Sequence, residues 1–230
     1  MIGRVFSALV LLLAGCTRAV ASPSVRTAAL IAEIEVTSTR DGEAELRTRL
    51  RTEGPSGAHP VTLGDGDHLD VRAGGRQARL RGGRDGDHRA RLTLREGELV
   101  IGILRTTDLS APSSRGTLGP PFALAPSPPA AWSRAESATI AWSPRDPGAH
   151  VEVELSGSCI EPVQRSLGLD PGTLQLERGA LRAREGLAHA RCRVVATIRR
   201  TRLGDLDRAL DQGGCFRLHQ VRTLEFESTP

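Results

Sequence analysis

The sequence predicts an all-β protein built as two tandem antiparallel β-sandwiches behind a cleaved lipoprotein signal peptide. Three observations lead to this fold class. Apolar and polar residues alternate along most of the chain, Asp-Gly and Gly-Gly pairs interrupt the alternation every ten to twenty residues, and one proline-rich stretch divides the sequence. Alternation is the pattern of a half-buried strand, and many short strands with regular turns are typical of β-sandwiches.

The N-terminus has the arrangement of a bacterial lipoprotein signal. Arg4 is followed by the apolar run "VFSALVLLLA", and Leu13, Ala14 and Gly15 precede Cys16. A positive end, a short apolar middle and small residues at the cut define a secretory signal, and this run is too short to cross a bilayer as a helix. We expect cleavage after residue 15 and acylation of Cys16, which anchors the mature chain to lipid. The alternative is an ordinary signal peptide with a chance cysteine nearby.

The anchor predicts where the first sandwich lies. Residues 16–24 are expected to form a lipid-anchored tether, in which Thr17 to Ser24 span at most about 27 Å when extended. The first sandwich should therefore stay near the membrane, with the second projecting outward. Thr17 rather than an aspartate follows the cysteine, which indicates the outer membrane, on its periplasmic face or at the cell surface. The protein is thus predicted to be extracytoplasmic.

The composition argues against a nucleic-acid partner. The chain carries 31 basic residues, all of them arginine, and 27 acidic residues, for a formal net charge of +4. The acidic residues are scattered among the arginines, and the aromatic residues amount to four Phe and two Trp. A nucleic-acid-binding surface needs clustered cations, ideally with aromatic side chains for stacking. We expect no nucleic-acid partner and no cofactor.

The strands can be followed along the chain by their alternation. In "EAELRTRL", residues 43–50, Ala44, Leu46 and Leu50 lie on one face and charged residues on the other, as in a half-buried antiparallel strand. The same alternation recurs around residues 69–73, 90–94, 99–103 and 151–155. The segment "LGDLDRALDQGG", residues 203–214, has weak helical spacing, and we expect a single turn or a loop there.

A proline-rich stretch marks the predicted domain boundary. It reads "GPPFALAPSPPAAW", residues 119–132, and clustered prolines favour extended connectors. We place the boundary near residue 126, which gives an N-terminal sandwich at 25–125 and a C-terminal sandwich at 126–230. The roughly 215 residues left after cleavage suit two domains of common size.

A repeated tetrapeptide, DGDH, raises the question of a metal site. It occurs in "GDGDH" at 64–68 and "RDGDH" at 84–88. Together the copies offer six candidate ligands: Asp65, Asp67, His68, Asp85, Asp87 and His88. An EF-hand loop starting at Asp85 would need an oxygen ligand and a glycine where this chain has Arg89 and Ala90. Asp-Gly pairs favour turns with positive φ, so two hairpin turns are the first interpretation and calcium binding the alternative.

Two longer blocks resemble a known family. "LVIGILRTTDLSAPSSRGTLGPPFAL", residues 99–124, contains an R-x-x-D-x-S-A-P-x-S pattern, and "SPPAAWSRAESATIAWSP", residues 127–144, contains a Ser-Arg pair and an I-x-W-x-P strand. The matching positions are Arg105, Asp108, Ser110, Ala111, Pro112 and Ser114, followed by Pro129, Ser133, Arg134, Ile140, Trp142 and Pro144. With the closing "QVRTLEFESTP", residues 220–230, these blocks resemble an uncharacterised family of secreted lipoproteins common in myxobacteria.

The resemblance implies a fold and a cellular location rather than an activity. It covers nearly the whole mature chain, and its motifs are framework positions. In that family an immunoglobulin-like sandwich follows the first one, so we expect the second sandwich here to be immunoglobulin-like. The family has no established biochemical role. One departure is Cys215, which stands before Phe216 where similar proteins carry two glycines followed directly by an aromatic residue.

Three cysteines remain once Cys16 is committed to lipid. In an oxidising compartment we expect one disulfide and one leftover thiol. Counting in twos along the strands points Cys159 and Cys192 inward and Cys215 outward. We therefore favour a structural Cys159–Cys192 bridge, worth roughly 3 kcal/mol for a loop of about thirty residues, over pairings that involve Cys215. Cys215 would then be a free thiol, open to an intermolecular disulfide; a zinc site would lack the usual C-x-x-C spacing.

The sequence predicts a binding protein rather than an enzyme. It has neither a G-x-S-x-G elbow nor an H-E-x-x-H helix. Asp205 and Asp207 could hold a cation or act as an acid and a base, but a polar loop is the favoured interpretation. We expect a non-catalytic binding, adhesion or structural module, with the loops at the sandwich ends as its contact surface.

The expected partners are the membrane, through the lipid anchor, and an envelope or extracellular protein or glycan. Two alternatives stay open: a calcium-dependent binding module, and an enzyme or inhibitor that acts on envelope or extracellular polymers.

Overall fold

The computed structural model describes residues 19–80, 85–125 and 131–230. The signal peptide, Cys16 and the domain boundary near residue 126 lie outside these ranges, so they stay predictions. Within the described residues the chain is almost entirely β-structure, which confirms the predicted all-β fold class.

The described chain contains seventeen strands and two single turns of 3-10 helix, Ser22–Ser24 and Thr27–Ala29. The first nine strands are Val20–Ala21 (β1), Leu30–Arg40 (β2), Glu43–Gly54 (β3), Gly57–Thr62 (β4), His68–Ala73 (β5), Arg76–Leu80 (β6), Asp87–Thr93 (β7), Gly97–Leu104 (β8) and Ala111–Leu118 (β9). The others are Ala123–Leu124 (β10), Ala131–Ser133 (β11), Ala138–Ser143 (β12), His150–Gly157 (β13), Val163–Leu169 (β14), Thr173–Leu176 (β15), Cys192–Gly204 (β16) and Gly214–Thr229 (β17).

The alternation of the sequence is what buries these strands. In β2 and β3 every second side chain faces the interior, and Ile34, Leu46 and Leu50 are fully buried. The residues between them point to the outer face. Gly42, at φ 81°, forms the tight turn that joins the two strands, because a residue with a side chain is strained in this conformation. The strand predicted at residues 43–50 is therefore confirmed.

One large sheet runs through both halves of the described chain. Its strands follow the order β1-β4-β3-β2-β17-β16-β13-β14, with β7 also paired to β3 and β11 to β17. Most neighbours are antiparallel, as predicted. Three pairs are parallel: β1 with β4, β2 with β17, and β11 with β17. The large sheet is therefore mixed, because strands distant in the sequence come together in it.

Two smaller sheets cover the large one. The sheet β6-β5-β8-β9 lies over the first half, and Ile34 of the large sheet packs in one buried cluster with Val71 of the small one. The sheet β10-β12-β15 lies over the second half, where Val153 and Trp142 share another cluster. Two facing pairs of sheets with apolar interiors are β-sandwiches, which confirms the predicted architecture.

The last strand, β17, takes part in both sandwiches. Its residues 214–220 pair with residues 32–38 of β2, and Phe216 lies in the first core. Further along, the ring of Phe226 packs against Trp132 in the second core, with 4.4 Å between ring centroids. Part of the segment that the sequence assigns to the second sandwich thus lies in the first.

The segment between β16 and β17 is a loop with turns, as expected from its weak helical spacing. Leu210 is buried in a third apolar cluster with Leu30 and Val61, at the end of the first sandwich that receives the N-terminus. Gly214, at φ 127°, then begins β17 against the backbone of Ala32, at a position where a Cβ would collide. The loop is therefore fixed at both ends.

The three cysteines that the structure describes are arranged as the sequence predicts. Cys159 and Cys192 form a disulfide between the end of β13 and the start of β16. Cys215 has a free thiol, is half-buried and stands opposite Glu33 on the outer face of the large sheet. The bridge closes a loop with a sequence separation of 33, for which loop entropy predicts a stabilisation of about 3 kcal/mol.

Within the residues that the structure describes, no helix is long and apolar enough to cross a membrane.

Candidate functional site

The two DGDH copies form tight turns of the same type. Asp65 and Gly66 have φ of 52° and 91°, and Asp85 and Gly86 have φ of 50° and 70°. In the first turn the amide of Asp67 donates to the carbonyl oxygen of Gly64 at 2.9 Å. Positive φ at both central residues is the geometry that Asp-Gly pairs favour. The prediction of turns is confirmed.

The prediction that these turns close hairpins is wrong. The first connects β4 to β5, which belong to different sheets, and the second connects β6 to β7, which also belong to different sheets. Each DGDH copy therefore marks a crossing from one sheet of the first sandwich to the other. The local sequence specifies the turn, but the strands on its two sides find their partners elsewhere.

The second turn fills a gap in the large sheet. Strand β3 pairs with β4 near its end and with β7 near its start, so β4 and β7 lie in line along the same side of β3. At the gap, the amide of Leu50 donates to the carbonyl oxygen of Gly86 at 3.0 Å. A Cβ on Gly86 would lie 2.6 Å from the carbonyl oxygen of Leu50, so only glycine fits there.

Asp67 is the centre of a buried hydrogen-bond network. One carboxylate oxygen accepts from the Ser22 hydroxyl and from Arg105 Nε, both at 2.7 Å, and the other accepts from the amide of Thr106 at 2.8 Å. The side chains of Asp67 and Arg105 are fully buried. Burial alone would raise the pKa of Asp67, but these hydrogen bonds and the Arg105 charge lower it overall. The carboxylate is therefore held ionised inside the protein.

Arg105 fastens the N-terminal segment to the first sandwich. Besides Asp67, its guanidinium donates to the carbonyl oxygens of Ser22 at 2.6 Å and Val25 at 2.9 Å, and to the Thr27 hydroxyl at 3.1 Å. A planar group with five donors can satisfy several backbone acceptors at once. Residues 22–27, of which the sequence assigns 22–24 to the tether and 25–27 to the sandwich, are thus part of the folded body.

The rest of the R-x-x-D-x-S-A-P-x-S pattern has similar roles. The Asp108 carboxylate accepts from the amide of Thr27, which lowers the pKa of Asp108. The Ser114 hydroxyl accepts from the amide of Asp207, and the Asp207 carboxylate accepts from the Ser113 hydroxyl at 2.6 Å. Asp207 is therefore engaged in holding the loop before β17. Sequence reasoning singled out this pattern but not its structural function.

Asp87, the counterpart of Asp67 in the second copy, lies nearer the surface. Its carboxylate receives two donors from Arg47, at 2.6 and 3.0 Å, and one from Arg89 at 3.2 Å. The hydrogen bonds from Arg47 lower the pKa of Asp87 to about 2. Because this pKa is below its ordinary value, the pair keeps its contribution to stability above pH 4 and loses it as the pH falls towards 2.

The six candidate metal ligands do not form a cluster. Asp65 and Asp85 are exposed, whereas Asp67 and Asp87 are bonded to arginines. Among the described residues, which include all six, no group of three or more His, Cys, Asp or Glu side chains is placed to hold a metal ion. Calcium binding stays a prediction.

The histidines of the two copies differ in burial. His68 is half-buried, and its Nδ1 lies 2.9 Å from the carbonyl oxygen of Gly66 in its own turn. His88 is buried directly opposite Thr48 of β3, and His88 Nε2 and Thr48 Oγ1 have no hydrogen-bond partner among the described residues. Burial lowers the pKa of His88, against a smaller opposite effect of Asp87. His88 is therefore held neutral in the interior.

The second motif block fixes the second sandwich in the same manner. Buried Arg134 donates to the carbonyl oxygens of Ala188 at 2.7 Å and Ala190 at 3.0 Å. Trp142 Nε1 donates to the Asp170 carboxylate at 2.7 Å, and that carboxylate pairs with buried Arg200 at 2.7 Å. The Ser-Arg pair and the I-x-W-x-P strand thus contribute structural contacts.

Arg200 also packs against an aromatic ring of the second core. Its guanidinium stacks over the ring of Phe122 at 4.1 Å, and Arg222 approaches the same ring at 5.3 Å. Arg222 Nε donates to the carbonyl oxygen of Phe122, and Gln220 Nε2 donates to that of Gly119 at 2.9 Å. The chain that leaves the first sandwich is therefore fixed as far as β10.

An open cleft of about 590 Å³ lies on the outer face of β3, beside the second DGDH turn. Its lining consists of Arg47, Arg49, Leu50, Arg51, Ala58, Pro60, Asp85, Asp87 and Arg89. Arg47 and Arg89 are paired with Asp87. Arg49 and Arg51 contact only Glu33 among the described carboxylates, at 3.5 and 3.6 Å. These two guanidinium groups can therefore turn towards a ligand in the cleft.

Comparison with known proteins adds little to this description. No protein-family model and no curated protein matches the chain. A two-fibronectin type-III domain segment from chicken tenascin is 11% identical, with a TM-score of 0.26, and the match covers 86% of this chain and 99% of that one. A tetra-tandem repeat from the extending region of a large adhesion protein is 14% identical, with a TM-score of 0.23, and the match covers 85% and 49%. The chain thus spans about half the length of the second structure, and likeness at this level decides neither fold nor function.

We predict that the two equivalent aspartates differ in their importance for stability. Asp67→Asn leaves the buried Arg105 charge uncompensated and should lower the free energy of unfolding by roughly 3 kcal/mol. Asp87→Asn removes a half-exposed ion pair and should cost at most about 1 kcal/mol. Urea unfolding at pH 7 measures both values. Equal losses in the two variants would show that Asp67 is not the centre of the network.

We also predict that acidification destabilises the fold through His88. The pKa of His88 in the folded state is below its ordinary value. The contribution of neutral His88 to the free energy of unfolding is therefore fully present above the ordinary pKa, and it is lost as the pH falls and the histidine takes up a proton. His88→Gln should reduce the loss of stability between pH 7.5 and pH 5.5, leaving the part due to His219, whose pKa burial also lowers. His189→Gln, at an exposed position, is the control and should keep the full dependence. An unchanged slope in His88→Gln would contradict the prediction.

Proposed function

We propose that this protein is a lipid-anchored component of the cell envelope, attached to the outer membrane through Cys16, that acts as a non-catalytic binding, adhesion or structural module. The observation that carries the proposal is the short chain between Cys16 and the folded body. The described chain starts at Ala19 and β1 at Val20. The three steps from Cys16 to Ala19 span at most about 11 Å, so an acylated Cys16 would hold the body close to the lipid.

The way in which the N-terminal segment is held supports an anchor at this place. β1 pairs with β4, and Ser22 is fully buried with its hydroxyl bonded to Asp67. Arg105 then ties the backbone of residues 22 and 25 to the sandwich. A pull on the lipid is therefore transmitted into the first core rather than into a loose tether.

The structural roles of the motif residues support kinship with the secreted lipoprotein family. Arg105, Asp108 and Arg134 each fix a chain segment through hydrogen bonds. Framework residues of this kind are what proteins of one fold share when their ligands differ. We propose on this basis that the chain has the two-sandwich framework of that family, with an immunoglobulin-like second sandwich.

A non-catalytic role fits the surroundings of the histidines. The Ser56 hydroxyl lies 2.7 Å from His59 Nε2, which is the contact of a nucleophile with its base. Both residues lie at the exposed β3–β4 turn, and no carboxylate among the described residues bonds to His59. His219 bonds to the Thr201 hydroxyl and is buried. A hydrolytic triad needs a third group that orients the histidine as a base. Neither of these two contacts among the described residues includes such a group.

The cleft on β3 gives the module a candidate contact surface. Guanidinium groups bind carboxylates and phosphates through paired hydrogen bonds. Arg49 and Arg51 border the cleft with only long contacts to Glu33. The positive charge of Arg47 offsets the negative charge of the ionised Asp87 carboxylate. We propose that the cleft receives an anionic group of an envelope or extracellular polymer.

The anchor is tested by replacing the acylated residue in the native bacterium. Cys16→Ser should abolish the lipid mass on the N-terminal peptide and move the protein out of the outer-membrane fraction. Cys215→Ser removes the other free thiol and should leave both properties unchanged. Mass spectrometry and fractionation measure the outcome, and an unmodified Cys16 in the wild-type protein would reject the proposal.

The cleft is tested with a soluble anionic polymer. Arg49→Ser/Arg51→Ser should weaken binding of dextran sulfate about tenfold, because roughly 1.4 kcal/mol of charge-assisted hydrogen bonding is lost. Arg91→Ser/Arg95→Ser changes the net charge equally at two exposed positions outside the cleft and should have little effect. Neutral dextran should not bind. An equal loss in both double variants would mean that binding depends on net charge and not on the cleft.

A further inference from the structure

We infer that one particular face of the first sandwich lies against the membrane surface, with the side chain of Leu109 inserted among the lipid headgroups. The face, here called the anchor face, is formed by residues 21–28 and 106–109. The inference rests on the proposed acylation of Cys16 and specifies which surface that anchor presses onto the lipid.

The two segments of the anchor face form one continuous surface. The Asp108 carboxylate and the Leu109 carbonyl oxygen accept hydrogen bonds from the amide and the hydroxyl of Thr27. Arg105, just before the second segment, bonds to the carbonyl oxygens of Ser22 and Val25 in the first. These four hydrogen bonds hold the two segments together, so the surface between them is fixed before any contact with lipid.

The chain enters the protein at this face. Ala19 precedes β1, and the Thr62 hydroxyl donates to the carbonyl oxygen of Val20. A lipid on Cys16 lies within about 11 Å of Ala19 by chain length alone. Such a short link limits how far the body can rotate away from the bilayer, so the surface next to the point of entry faces the lipid.

The side chains of the anchor face suit a headgroup layer. Ala21, Ser24, Arg26, Ala28, Thr106, Thr107, Asp108 and Leu109 are exposed on it. Leu109 is 70% exposed. Among the described residues it is one of four exposed large hydrophobic side chains, and the other three, Leu169, Leu187 and Leu203, all lie in the second half of the chain. Arg26 and Asp108 carry opposite charges, so the face has no net charge, and its small and apolar side chains can lie in the headgroup layer.

One inserted leucine binds lipid weakly by itself, but the anchor changes its effect. Once the lipid on Cys16 is inserted, the leucine contact becomes intramolecular and gains from the high local concentration. The anchor face therefore strengthens the attachment and sets the orientation of the protein.

Leu169, at the far edge of the large sheet, supplies a matched control. β1 and β14 are the opposite ends of the eight-strand path β1-β4-β3-β2-β17-β16-β13-β14. Seven strand spacings of about 4.8 Å separate them by roughly 34 Å. Leu169, at the end of β14, is 61% exposed and therefore matches Leu109 in chemistry but not in position.

The test uses the mature chain from Cys16 onward, with Cys215→Ser, coupled through the Cys16 thiol to a maleimide lipid. The vesicles contain phosphatidylethanolamine and phosphatidylglycerol with acyl chains brominated near the headgroup. Leu109→Trp and Leu169→Trp are compared, after subtraction of the emission from the buried Trp132 and Trp142. Bromine quenches by contact, so we expect about a twofold loss of emission in Leu109→Trp, at an insertion depth of roughly 5–10 Å, and none in Leu169→Trp.

The outcome separates the anchor face from the proposed function. Unchanged emission in Leu109→Trp, or equal quenching in both variants, would overturn the assignment of the anchor face even if Cys16 is acylated in the cell. Absence of acyl mass on Cys16 in protein extracted from membranes would overturn the proposed function instead, and the lipid-coupled protein would still report on the surface.

Discussion

Strand β17 hydrogen-bonds to β16 over residues 216–228 and to β2 over residues 214–220, and the rest of the fold depends on this double pairing. The first pairing is antiparallel and lies within the second half of the sequence. The second is parallel and reaches back to β2 in the N-terminal sandwich. Each core therefore contains side chains from β17, Phe216 in one and Phe226 in the other. The two sandwiches cannot separate without breaking the large sheet itself.

Buried arginines fix chain segments that lie outside the strands. Arg105 holds the N-terminal segment, Arg134 holds the loop of residues 188–190, and Arg200 packs against Phe122 in the second core. A guanidinium can bond several carbonyl oxygens in one plane, which an ammonium group cannot match. Carboxylates and carbonyl oxygens offset part of the cost of burying these charges, so removing one partner is far more damaging than removing an exposed pair.

The repeated DGDH turns show how one local sequence takes on different roles. The sequence indicates a turn at each copy, and both turns have the positive φ that Asp-Gly pairs favour. The aspartate that follows is fully buried against Arg105 in the first copy and partly exposed beside Arg47 in the second. The histidines differ in the opposite sense, with His68 of the first copy half-buried beside its own turn and His88 of the second copy buried inside the first sandwich. Repetition in the sequence therefore predicts repeated turns but not a shared ligand site.

The fold class, the strands with their inward faces, the Asp-Gly turns, and the choice of Cys159 and Cys192 for the disulfide could all be predicted from the amino-acid sequence. All of these follow from side-chain periodicity and backbone preferences within a few residues. The sequence did not predict that β17 joins β2 in parallel, that β4 and β7 share one side of β3, or that Arg105 reaches Asp67 and the N-terminal segment, and these contacts are seen in the folded chain. Alternation tells which face a residue takes but not which strand lies beside it, since that choice depends on how distant segments pack around a common core.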